Sequence, residues 1–81
     1  MDFALNWDTL FGGYVISVKQ LDTRGFWRWY NLRKFEAQGD ALAFREFDCP
    51  HLTELQIKGL IKQYNPQIRY RRINSKRFTK V

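Results

Sequence analysis

The chain has 81 residues, 44 % hydrophobic and 17 % aromatic, with a formal net charge of +6. That length allows one small core and no second one, and so apolar a composition excludes an intrinsically disordered polymer. No apolar run reaches the roughly 18 residues of a membrane span, and a single cysteine, Cys49, excludes both an internal disulfide and zinc sites built on paired cysteines.

The opening Met-Asp-Phe-Ala-Leu-Asn lacks the basic region and apolar run of a signal peptide, so a cytoplasmic protein is expected. Residues 1–81 are read as one domain. Within it, residues 1–13 carry Phe3, Leu5, Trp7, Leu10 and Phe11 ahead of Gly12-Gly13 and read as an apolar N-terminal arm lying on the core. Residues 14–21, YVISVKQL, are β-branched and alternate, with Tyr14, Ile16 and Val18 on one side and Ser17 and Lys19 on the other. This is the pattern of a half-buried strand. Asp22-Thr23-Arg24-Gly25 has turn chemistry, because Asp22 can accept from its own downstream backbone and Gly25 tolerates a positive φ.

The second arm of that hairpin, residues 26–35, places Trp27, Trp29 and Phe35 on one face and Arg28, Tyr30 and Leu32 on the other. Large aromatics are what fills the interior of so short a chain, so Trp27 and Trp29 are expected in the core. The alternative is an exposed aromatic patch awaiting a partner. Residues 41–47 fit two periods. A strand is preferred, following a turn at Gln38-Gly39-Asp40, with Leu42 and Phe44 pointing one way and Ala43, Arg45 and Phe47 the other. The alternative is a short helix capped by Asp40 that aligns Ala43, Phe44 and Phe47.

A helix over residues 53–64 is the most strongly signalled element. Thr53 and Gln56 have capping-box spacing, Leu52 and Ile57 form a hydrophobic staple, and Ile57, Leu60, Ile61 and Tyr64 recur along one face. Gly59 inside it implies a close approach to another backbone, since glycine there costs about 1 kcal/mol relative to alanine. Asn65 and Pro66 end the helix. Residues 67–73 read as a last strand with Ile68 and Tyr70 inward, and residues 74–81 as a basic C-terminal tail. The expected fold is a small α+β domain: a mainly antiparallel sheet of three to four strands with one helix packed across one face.

Catalysis needs a nucleophile, a base and an orienting group. The chain offers only Asp48-Cys49-Pro50-His51, ordinary residues just ahead of a helix, and cysteine is most often buried and inert. No glycine-rich phosphate loop precedes a helix and no carboxylate pair has acid/base spacing. The expectation is a protein that is not an enzyme, with no catalytic residue, cofactor or metal.

Charge is unevenly placed. Residues 1–54 hold six bases and eight acids, whereas eight bases and no acid follow Glu54. Such a field draws in a polyanion or an acidic protein face. Charge on an edge strand also resists pairing with other chains, but that accounts for two or three cations rather than six bases in residues 67–81. Arg69, Arg71, Arg72, Lys76, Arg77 and Lys80 are therefore expected to bind nucleic acid through phosphates, with Tyr70 and Phe78 stacking. A rival reading is a protein–protein interaction module, an adaptor or inhibitor of the kind mobile genetic elements carry, docking on an acidic face of a larger nucleic-acid-processing enzyme. Its anchors would be Trp27, Arg28, Trp29, Tyr30 and Arg33, the residue types that dominate interface energetics. A homodimer through the aromatic surface is a further possibility.

Overall fold

The computed structural model describes residues 1–64. The segment read as an apolar arm contains a strand, β1 (Phe3–Asp8), which pairs antiparallel with β2 (Gly13–Leu21). β2 in turn pairs antiparallel with β3 (Trp27–Phe35), so among the described residues the sheet is a three-stranded meander in the order β1-β2-β3. Tight turns join the strands. At the first, the Asp8 carboxylate accepts from the Leu10 and Phe11 backbone N–H groups at 2.9 and 3.2 Å. At the second, Asp22 Oδ1 accepts from Arg24 and Phe26 N–H, both at 2.9 Å, while Gly25 takes φ 84°, the left-handed conformation that this loop requires.

One irregularity decides which side chains face which way. The β2–β3 register shifts between Ile16 and Ser17, so that Ser17 opposes Asn31 but Ile16 opposes Arg33, with Leu32 left as the extra residue. Before the shift, Tyr30 shares a face with Val18; after it, Arg33 and Phe35 share that same face with Ile16 and Tyr14. Strict alternation would have put Phe35 with Trp27 and Trp29. The bulge instead turns it to the opposite side.

Residues 41–47 are helical, not a strand. α1 (Gln38–Ala43) starts from Ala37, not Asp40, and runs without a break into a π-turn (Phe44–Asp48) and a 3-10 turn (Cys49–His51). Ala41, Phe44 and Cys49 are buried, whereas Ala43 and Phe47 are exposed. The π-turn explains that set: the Cys49 N–H donates to the Phe44 carbonyl, five residues back, and the widened turn brings Cys49 round to the Phe44 side. A strand would have exposed this row of apolar side chains at a sheet edge, while the helix lays it on β2.

A second helix, α2, covers residues 54–64 to the end of the described chain. Its start has the expected capping box: Thr53 N–H donates to Gln56 Oε1 at 2.8 Å and Gln56 N–H donates to Thr53 Oγ1 at 3.1 Å. Ile57 and Tyr64 are buried, and Leu60 and Ile61 lie against the core. The expectation for Gly59 fails, because among the described residues a Cβ built there meets no atom within 4 Å. Among the described residues, two helices rather than one thus pack on the sheet. The core they enclose is Ile16, Val18, Leu32, Ala41, Phe44, Cys49 and Ile57, bordered by Phe3, Leu5, Tyr14, Tyr30, Phe35, Leu52, Leu60 and Ile61. Among the described residues no helix is long and apolar enough to cross a membrane.

Candidate functional site

The helices take one face of the sheet and leave part of the other open. On that second face the register places Leu21 beside Trp27, Lys19 beside Trp29, Ser17 beside Asn31 and Val15 beside Lys34. Its two ends differ. Near the β1–β2 turn, Lys34 Nζ donates to the Phe11 carbonyl at 3.1 Å and lies 5.6 Å from the centre of the Phe11 ring, which in turn meets Tyr64 edge-on at 5.6 Å. Val15 and Ser17 are buried there, and the Ser17 hydroxyl donates to Asn31 Oδ1 at 2.7 Å.

The end near the β2–β3 turn is open. Trp27 is 62 % exposed, Trp29 51 %, Leu21 55 % and Phe26 61 %. Both indoles are therefore surface groups, and the expectation that they fill the core is wrong. The interior is supplied instead by Phe44, Phe35 and the aliphatic residues of β2, α1 and α2. Lys19 Nζ sits 5.7 Å from the Trp27 ring centre, a cation–π contact that sets a positive charge beside the exposed rings.

The five residues assigned to partner binding do not form one surface. Trp27 and Trp29 lie on the open face. Arg28, opposite Gln20, belongs to the helix side and pairs through Nε with Asp22 Oδ2. Tyr30 is half-buried against the core. Arg33, sent to the helix side by the bulge, is exposed but holds its guanidinium 5.0 Å from the Phe35 ring and 5.6 Å from the Phe44 ring. Sequence reasoning passed over Lys19, Leu21 and Phe26. The signal was present: a turn at Asp22–Gly25 pairs the ends of the two strands, which puts odd-numbered β2 residues on the tryptophan face.

Asp22 and Cys49 depart from their ordinary values. The Asp22 carboxyl is lowered from 3.8, first by the Phe26 N–H, then by the Arg28 side chain and the Arg24 N–H. Cys49 is pushed up from 9.0 to about 11, mainly by burial and further by the Asp48 carboxylate, partly offset by Arg45. A thiol held neutral in this way is a poor nucleophile. Among the described residues, no group of three or more His, Cys, Asp or Glu side chains is placed to hold a metal ion.

The stop at Asn65 and Pro66, the strand over 67–73, the tail over 74–81 and the residues assigned to nucleic acid (Arg69, Tyr70, Arg71, Arg72, Lys76, Arg77, Phe78 and Lys80) lie outside the described residues. No protein-family model, curated protein or solved structure matches the chain.

Proposed function

We propose that the chain is a non-enzymatic nucleic-acid-binding protein in which Arg69, Arg71, Arg72, Lys76, Arg77 and Lys80 contact phosphates. One observation carries this reading: residues 1–64 hold eight bases and eight acids, so the entire net charge of +6 belongs to residues 65–81. A balanced body joined to an uncompensated cationic segment suits a polyanion whose charges repeat along its length. Such contacts give affinity with little sequence information.

The test is a salt titration of the full chain against labelled oligonucleotides. Five or six phosphate contacts give a slope of log K on log[salt] of about −4.5 to −5.4 on duplex DNA and about −3.5 to −4.2 on a single strand. A slope near −1, or no binding at low salt, refutes the reading. Polynucleotide should also accompany the protein through purification and leave it in high salt.

The exposed cluster of Leu21, Phe26, Trp27 and Trp29 favours a second reading, docking onto an acidic face of another protein. That reading predicts one discrete protein in a pull-down that survives nuclease treatment.

A further inference from the structure

We infer that the open end of the sheet is a stacking platform on which Trp27 and Trp29 take unpaired bases of a single strand of nucleic acid, beside Lys19 for its phosphates. This rests on the nucleic-acid reading above and narrows it to single strands. The two indoles occupy alternate positions on one face of β3, so their Cα atoms stand about 6.5–7 Å apart. That spacing is about twice the 3.4 Å rise of a stacked strand. Successive bases of a stretched strand, or bases two steps apart in a stacked one, therefore reach the two rings.

In a duplex, base planes are covered by their neighbours and only edges show in the grooves; in a single strand the planes are open to aromatic side chains. Flat exposed rings on a sheet face suit the second case. The local charge agrees with an anionic strand. Lys19 lies over Trp27, Arg24 stands in the adjoining turn, and Asp22 is already engaged by Arg28 and two backbone N–H groups. Asp2 is also at this end of the sheet, its backbone carbonyl accepting the Lys19 N–H at 3.0 Å. Beyond Trp29, the Ser17 hydroxyl is committed to Asn31, and stacking on a ring face does not distinguish one base from another. The platform is accordingly tolerant of sequence.

Three tryptophans are present, and Trp7 packs edge-on against Tyr14 at 4.9 Å on the helix-covered side of the sheet. In a Trp7→Phe background, emission excited to the red of tyrosine absorption comes from Trp27 and Trp29 alone. Titrating the full chain with short oligothymidylate should quench that emission, and a duplex of equal length should bind more weakly. Trp27→Ala and Trp29→Ala should each weaken oligothymidylate binding by about 5- to 150-fold, while phenylalanine at either position retains most of it. Circular dichroism confirms folding, which surface substitutions should leave intact.

Equal binding of single strand and duplex, unchanged by either alanine variant but still falling with salt, overturns the platform and leaves the phosphate reading standing. Absence of any salt-dependent binding overturns both. A dimer in sedimentation that disperses on Trp29→Ala makes the face a seam between copies and also overturns the platform.

Discussion

Asp22 does more than its neighbours in the β2–β3 loop, since one carboxylate accepts from Arg24 N–H, Phe26 N–H and the Arg28 side chain. These donors hold its pKa below the ordinary 3.8. A carboxylate depressed in the folded state stabilises fully above its unfolded value and loses that contribution as the pH falls through the lower folded one. Asp22→Asn should therefore be less stable than the parent at neutral pH, and the two should converge in acid below about pH 4. Denaturant midpoints measured across that range check this; a gap that persists into strong acid contradicts it. Cys49 has the opposite sign, for its raised pKa favours folding below the unfolded value near 9.0 and stops doing so as the pH passes about 11. Its thiol should resist a disulfide reagent at mild alkaline pH until the protein is unfolded, and rapid native labelling would disprove the burial. The tryptophans show where residue-level reading stops. Composition requires large rings inside, but which rings depends on which face the helices take and on a bulge at Leu32, neither of which is encoded at Trp27 or Trp29 themselves.

Elements whose ends carry their own chemistry were legible. The hairpin turn and the Thr53–Gln56 box act through hydrogen bonds to neighbours in sequence, so the local string contains both partners. Removing the cap oxygen by Thr53→Ala should lower stability by about 1 kcal/mol. Residues 41–47 were not legible in the same way, because Ala41, Phe44 and Cys49 line up only through a π-turn that belongs to neither the 2.0 nor the 3.6 period. β1 was missed as a strand for another reason: Leu5 and Phe3 become strand residues by pairing with Ile16 and Val18, a partnership their own segment does not announce. Two glycines test the description of the elements directly. Gly59 has open space at its Cβ among the described residues and no positive φ, so Gly59→Ala should stabilise α2 by about 1 kcal/mol. Gly13 is the reverse case, since a Cβ there stands 2.9 Å from the Phe35 carbonyl oxygen and 3.1 Å from Lys34 Cε. Gly13→Ala must push β2 and β3 apart and should lower the melting temperature, whereas Gly59→Ala raises it by about 4–8 °C.

For the molecule as a whole, the uneven distribution of charge along the sequence makes the proposed function open to test by substitutions that leave the described core residues unchanged. Among the described residues the buried hydrophobic side chains run from Val15 to Tyr64, and the excess of positive charge in the sequence lies in residues 65–81. The location of that charge was fully legible, because counting needs no structure; the exposure of Trp27 and Trp29 was not, because it depends on packing. Converting Arg69, Arg71, Lys76 and Arg77 together to glutamine removes four of the six cations there. Like charges at this density repel one another, so the variant should melt at the parent temperature or slightly above it. Binding should respond differently. On a single strand, six phosphate contacts from residues 65–81 with Lys19 as a seventh give a salt slope of about −5, and the three left in the variant give about −2. Stacking on Trp27 and Trp29 carries no counterions, so it should persist as the salt-independent remainder and be removed only by the alanine variants. A four-glutamine variant with an undiminished slope would assign the phosphate contacts to Lys19, Arg24, Arg28 and the other bases of the balanced body.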